Sequence, residues 1–215
     1  MKMKLIYFLS KSLVLSRRKL CEYINLGLIT VNNQIAESYS QIVDSELDII
    51  KFKDKELSFP ENYKKHYFLF YKPKYMTIDG NSLQEMRIRT NVKDLKFAGR
   101  LDADSEGLLV MSNDGEFINK IMNPKEHIKK IYKICLKGFK NSKQIEELQN
   151  LIKILDYKIE KEEITMTIEL SEGKNRQIRR ICASCALNVI CLLRISIGKF
   201  SLGNLKENEF ISITL

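Results

Sequence analysis

Gly99-Arg100-Leu101-Asp102-Ala103-Asp104-Ser105-Glu106-Gly107-Leu108-Leu109-Val110-Met111-Ser112-Asn113-Asp114-Gly115 is the stretch around which the rest of the chain is organised. Gly99 and Gly107 bracket an acidic loop, an apolar run from Leu108 to Met111 follows, and an Asn-Asp-Gly turn closes the stretch. An apolar run bounded by turn residues predicts a buried strand. A carboxylate between a glycine hinge and such a strand is held rigidly by the scaffold yet stays exposed, which suits a nucleophile or a general base. Spacing alone equally allows Asp102 or Asp104 to bond its own backbone as an Asx turn.

The order Gly-Arg-Leu-Asp, Ser-Glu-Gly-Leu-Leu, Ser-Asn-Asp-Gly resembles the signature of the pseudouridine synthases, most closely the RsuA/RluB branch that acts on ribosomal RNA. That resemblance implies Asp102 as the catalytic residue and Arg100 as a substrate contact. Family members usually carry Thr where this chain has Ser105, and both offer a hydroxyl.

Other segments extend the resemblance. Lys129 to Leu136 alternates like a strand, with Tyr132, Ile134 and Leu136 on one face. Its Lys-x-Tyr pattern is similar to the family's second motif, which implies Tyr132 packing on the target base and Lys130 as an RNA contact. Glu172-Gly173-Lys174-Asn175-Arg176-Gln177-Ile178-Arg179-Arg180 resembles the third motif. It implies that Arg179 forms an ion pair with Asp102, with Arg176 and Arg180 as RNA contacts. A guanidinium fork would orient the carboxylate and keep it ionised. Val189 to Gly198 resembles the closing segment, in which an aliphatic residue buttresses the Tyr. Leu192 is the first choice and Leu193 the alternative, because period two does not say which points inward. Lys72-Pro73 after the β-rich run 66–71 also occurs in the family. Lys72 then reads as a substrate contact, a brace for the active-site loop, or an ordinary strand-end lysine. Tyr75 stands where a Gly is usual, which leaves the turn at 74–77 open.

The chain has 215 residues, 44% of them hydrophobic, enough for a small domain and a medium one with packed cores. Its net charge of +9 points to a polyanion without choosing among RNA, DNA and acidic lipid. Residues 1–20 carry lysines and arginines with no acid, and residues 120–140 carry seven lysines against Glu126 alone. Two stretches so one-sided read as phosphate-contacting surface. An odd cysteine count without a secretory signal predicts free thiols. Cys182 and Cys185 are half of a zinc pattern, but their place on an apolar helix face favours core packing.

Near the N-terminus, Ser16 can cap a helix from Arg17 to Leu26, and Gly27 can end it in left-handed geometry. Strands follow at 28–31 and 47–52. Helix, helix and small strands, with Ser16-Arg17-Arg18-Lys19, Gly27 and Val31-Asn32-Asn33, resemble the RNA-binding domain named after the fourth small-subunit ribosomal protein, here the S-four-type domain. That resemblance makes Arg17, Arg18 and Lys19 RNA contacts at a helix N-terminus.

The expected fold is α+β: an S-four-type RNA-binding domain over 1–60, then a pseudouridine synthase catalytic domain over 64–215 built on a mixed, mostly antiparallel sheet. A helix is expected at 115–122, a helix at 142–155 capped by Ser142, a strand at 164–170 and a helix at about 176–187. The implied function is site-specific isomerisation of uridine in ribosomal RNA by a cytoplasmic monomer, with no cofactor, no metal and no membrane. Naked RNA and an assembling pre-ribosomal particle both stand open as substrate. The alternatives are a non-catalytic ribosome-assembly protein and a synthase acting on transfer RNA.

Overall fold

The structure, a computed structural model, describes residues 1–215 and divides into two compact units, Met1–Lys64 and Lys65–Leu215. No helix is long and apolar enough to cross a membrane.

The first unit runs β1 (Lys2–Lys4), α1 (Leu5–Ser12), α2 (Arg17–Asn25), β2 (Ile29–Val31), β3 (Gln34–Ile35), β4 (Ile42–Asp44), β5 (Ile50–Phe52) and β6 (Lys55–Leu57). Strands β3, β2, β5 and β6 form an antiparallel sheet in that order, and β1 pairs with β4. Ser16 caps α2 by accepting from the Lys19 N–H at 3.3 Å. Gly27 takes φ +68°, and the next N–H, that of Leu28, turns back to the Tyr23 carbonyl. A side chain at Gly27 would be strained there, so glycine ends this helix. Leu5, Leu9, Leu20, Ile29 and Ile50 are wholly buried and form the unit's core.

The second unit runs β7 (Tyr67–Lys72), α3 (Gly80–Thr90), β8 (Lys96–Phe97), β9 (Glu106–Ser112), α4 (Gly115–Met122), β10 (Lys130–Lys137), α5 (Lys143–Leu151), β11 (Lys153–Glu160), β12 (Glu163–Leu170), α6 (Gln177–Ser184), β13 (Asn188–Ile197), β14 (Phe200–Ser201) and β15 (Phe210–Ser212). Its nine-stranded sheet has the order β11-β12-β10-β13-β9-β7-β15, with β8 on β9 and β14 on β13. Only the β13–β9 pairing is parallel. The apolar run 108–111 lies in β9 and is buried on both faces. Leu109 and Met111 pack with Phe68, Phe70 and, from α3, Met86. Leu108 and Val110 pack on the other side with Ile121 of α4. A strand covered on both faces needs no polar alternation, which is why its sequence is continuous rather than alternating.

Local sequence also sets the helix ends. Asp114 caps α4 through the N–H groups of Glu116 and Phe117, and Lys65 and the Tyr67 hydroxyl meet its other oxygen. Asn113 accepts the His66 N–H and Ser112 donates to the His66 carbonyl. The Ser-Asn-Asp-Gly segment therefore ties β9 and α4 to the start of β7.

Three expectations need correction. The helix expected over 142–155 ends at Leu151, because β11 from Lys153 pairs with β12, and strand pairing outweighs the helical spacing of Ile152. Ser142 makes no capping bond; Gln144 instead accepts the N–H groups of Lys140 and Asn141. The five cysteines are not all free: Cys135 and Cys191 face each other across β10 and β13 and form a disulfide with Cα atoms 5.0 Å apart. Antiparallel register, invisible in the spacing, places them directly opposite. Cys182 on α6 and Cys185 at its C-terminal end pack in the core with Ile145 and Leu148 of α5, where burial pushes the Cys182 thiol up to about 12. Helix α3 has no counterpart among the expected elements; its apolar pattern is weak, and it is set locally by an Asp79–Ser82 capping box and a left-handed Asn91.

Candidate active site

Four residues lie in one row across the sheet: Lys72 on β7, Gly107 on β9, Arg194 on β13 and Tyr132 on β10, each the register partner of the next. Gly107 makes the row possible. It has φ +110°, and a Cβ there would lie 2.4 Å from the Arg194 carbonyl oxygen and 2.7 Å from its nitrogen. No larger residue allows β9 and β13 to approach so closely.

A cleft of about 720 Å³ opens over the Arg194–Tyr132 end of this row. The loop 99–105, the segment 173–179 and the inner faces of β10 and β13 line it. Asp102 is the one carboxylate among its lining residues, against Arg100, Lys130, Lys174, Arg176, Arg179 and Arg194. The Asp102 side chain is 38% exposed, so it is reachable from the cleft. The Ser105 N–H donates to the Asp102 carbonyl at 3.1 Å and closes the loop as a turn. Tyr132 and Leu192 are both 6% exposed and both line the cleft. Leu193 does not line it; its side chain lies against Gly107 instead.

The expected Arg179–Asp102 ion pair is not formed. Arg176 lies 3.6 Å from Asp102 and 3.3 Å from Asp104, whereas Arg179 meets Asp104 at 3.2 Å. Arg179 also donates to the carbonyls of Val189 at 2.8 Å and Asp104 at 3.1 Å. Its guanidinium thus joins α6, β13 and the loop behind Asp102. Arg176 precedes α6 in left-handed geometry, φ +46°, at the mouth of the loop. Sequence spacing cannot tell these two arginines apart, because the left-handed residue resets the helix phase. Burial alone would raise the Asp104 carboxyl, but Arg179 and Arg176 outweigh it and hold Asp104 below the usual carboxylate range.

Lys72, expected as a substrate contact, a brace or a strand-end lysine, lies beneath the loop and not in the cleft. It is fully buried, and its Nζ donates to the carbonyls of Ser105 at 2.6 Å, Pro73 at 2.9 Å and Ala103 at 3.4 Å. It holds the loop from below and is not among the residues that line the cleft. Burial pushes its ammonium down to about 8, with Asp104, Glu106 and Asp102 pulling the other way. Tyr75 adds a second tie, its N–H reaching the Ala103 carbonyl at 2.6 Å while its backbone sits at φ +68°.

Arg100 and Lys130 line the cleft, and Arg180 is exposed outside it. In the first unit Arg17 and Arg18 are exposed at the start of α2, while Lys19 turns to Glu22 at 2.8 Å and lies over the Tyr23 ring. Arg194 joins the site without being implied by any motif. It is 4% exposed, and its one hydrogen bond runs from Nε to the Leu108 carbonyl at 2.8 Å. The sequence does carry a signal for it: a lone arginine inside an otherwise apolar strand.

Known proteins resemble this chain over most of its length. The RNA pseudouridylate synthase family matches residues 66–184. An uncharacterized RNA pseudouridine synthase of Aquifex aeolicus (strain VF5) is 29% identical, over 98% of this chain and 90% of its own length. The ribosomal large subunit pseudouridine synthase B of Bacillus subtilis (strain 168) is 30% identical, over 94% and 88%. A crystal structure of a pseudouridylate synthase superposes with a TM-score of 0.62 at 25% identity, covering 99% of this chain and 96% of that one. The match spans the loop that presents Asp102, the strand that carries Tyr132 and the segment that carries Arg176 and Arg179, and the chain belongs to the RNA pseudouridylate synthase family, enzymes that isomerise uridine in RNA to pseudouridine.

Proposed function

We propose that this chain isomerises a specific uridine of ribosomal RNA, with Asp102 as the catalytic carboxylate. The observation that carries the reading is that Asp102 is the one carboxylate lining a cleft rich in cations, beside a buried Tyr132. The target nucleotide leaves its stack to enter, which costs a few kcal/mol and is offset by contacts in the cleft. Its base packs on Tyr132, with Leu192 behind that ring and Arg100 at the rim. Asp102 acts on the sugar as the N1–C1′ bond breaks. The uracil turns, C5 bonds to C1′, and the proton lost from C5 is balanced by one gained at N1, so nothing is consumed overall.

Arg176 holds Asp102 in this reading, and Lys72 with Arg179 holds the loop that presents it. The first unit serves as an S-four-type RNA-binding domain, with Arg17 and Arg18 as its phosphate contacts. Ribosomal RNA is the substrate supported by the names of the relatives in Bacillus subtilis and in Vibrio vulnificus (strain CMCP6), the latter a ribosomal small subunit pseudouridine synthase A, 27% identical over 99% of this chain and 96% of its own length. Pseudouridine mapping of ribosomal RNA, in cells lacking the protein and in cells complemented with wild type or Asp102→Asn, tests it. One site should disappear and return only with wild type. An unchanged map overturns the ribosomal assignment.

A further inference from the structure

Arg194 is a charge buried without compensation. Its Nε is satisfied by the Leu108 carbonyl, but Nη2 is buried with no partner, and the guanidinium has no ion pair. Leaving a charged donor unmatched in a protein interior is costly unless something in the functioning state completes it.

Lys130 stands in the same condition. It is half-buried, lines the same cleft, and its Nζ has one long bond, 3.3 Å, to the Ile128 carbonyl. It has no ion pair, and burial and the nearby Arg194 both depress its affinity for a proton. The cleft's one carboxylate, Asp102, is already engaged by Arg176. Arg194 and Lys130 therefore lie near each other without an acid between them. They also flank the residue that faces the base. Tyr132 is the register partner of Arg194 and lies two positions along β10 from Lys130.

We propose that Arg194 and Lys130 form an anion subsite in the floor of the cleft, which takes a backbone phosphate adjoining the extruded nucleotide. The proposal rests on the reading of the cleft as the uridine site. A base carbonyl would satisfy one N–H and leave both charges uncompensated. A phosphodiester instead presents two unesterified oxygens to the guanidinium fork and the ammonium together, the geometry in which charge-assisted bonds are strongest. Binding there uses the charge to position the sugar, since the phosphate, the ribose and the base on Tyr132 are covalently joined. A purely apolar floor would bind the base without fixing the nucleotide's polarity along the strand.

Binding of small probes to the full-length protein tests this, followed by NMR on labelled Lys and Arg side chains. The probes are inorganic phosphate, uridine and uridine 3′,5′-bisphosphate. Inorganic phosphate should shift the Lys130 ammonium and Arg194 guanidinium signals of the wild type. The bisphosphate should bind about tenfold or more tightly than uridine, as charge-assisted bonds predict. In Arg194→Gln and in Lys130→Gln that ratio should fall to about threefold or less, with Arg194→Lys in between. Lys130→Gln alters a half-buried side chain with little packing role, so it stands in if Arg194→Gln fails to fold. A bisphosphate preference that survives Lys130→Gln, or a wild type that binds the bisphosphate no better than uridine, overturns the subsite. The synthase reading is checked separately by the Asp102→Asn map, so a failure of the subsite is distinguishable from a failure of that reading.

Discussion

At the residue scale the site separates chemistry from support. Asp102→Asn should lower pseudouridine formation by at least about a thousandfold, with RNA affinity and urea midpoint near those of wild type, because the side chain is exposed to the cleft and packs in no core. Single-turnover assays on ribosomal RNA measure the first and equilibrium unfolding the second. The two arginines should differ in kind. Arg176 is 47% exposed, so Arg176→Ala should change stability by less than about 1 kcal/mol while depressing kcat. Arg179 is 15% exposed and links three segments, so Arg179→Ala should lower stability by about 2 kcal/mol along with activity. Lys72 adds a pH dependence. Its folded-state pKa of about 8 lies below the ordinary lysine value, so between that pH and about 10.5 the unfolded chain binds the extra proton. Stability relative to Lys72→Met should therefore rise with pH across that window, by up to about 3 kcal/mol. A flat difference in urea midpoints from pH 8 upward would show that burial does not depress Lys72.

At the scale of elements, the β9–β13 contact controls the site. These strands form the one parallel pairing in the sheet, and Gly107 is where they come closest. Gly107→Ala should cost about 3 kcal/mol or more, from overpacking against backbone plus a strained positive φ, and should reduce activity by displacing Arg194 and the end of the Asp102 loop. Urea denaturation of the variant reads this directly; a decrease under about 1 kcal/mol would mean the strands part easily. The loop itself is tied from below by Lys72, from behind by Arg179 and from the side by the Tyr75 N–H. Tyr75 occupies a left-handed conformation that costs a non-glycine residue roughly 1–2 kcal/mol. Its persistence reflects how strongly the surrounding turn is determined.

At the scale of the molecule, positive charge is distributed over both units, and each folds round its own core. RNA affinity should be a sum of phosphate interactions and hence fall with salt. Replacing Arg17 and Arg18 by Gln should lower the slope of log affinity against log salt by about 0.7 to 0.9 for each phosphate that is no longer neutralised. It should leave chemistry on bound substrate near wild type, since neither residue belongs to the unit that holds Asp102. Filter binding over a salt series checks it. An unchanged slope would assign the exposed start of α2 to a partner other than RNA.

Much of the architecture can be read along the chain because it is decided locally. The apolar run 108–111, the Ser16 cap, the Gly27 stop, the alternation at 164–170 and the helix at 115–122 are marked by their own and neighbouring residues. The motif-bearing residues Asp102, Tyr132 and Leu192 do converge on one cleft. What spacing cannot supply are facts of register and phase. The opposition of Cys135 and Cys191, the inward turn of Leu192 rather than Leu193, and the strand at 153–160 are set by pairing with distant strands. Which arginine faces Asp102 depends on a left-handed residue at the start of α6, and the row that holds Lys72 and Arg194 depends on the close approach that Gly107 allows between β9 and β13. Local conformation follows from side-chain sterics and hydrogen bonding within a few residues, whereas the partner of a buried charge is chosen by whichever elements pack around it.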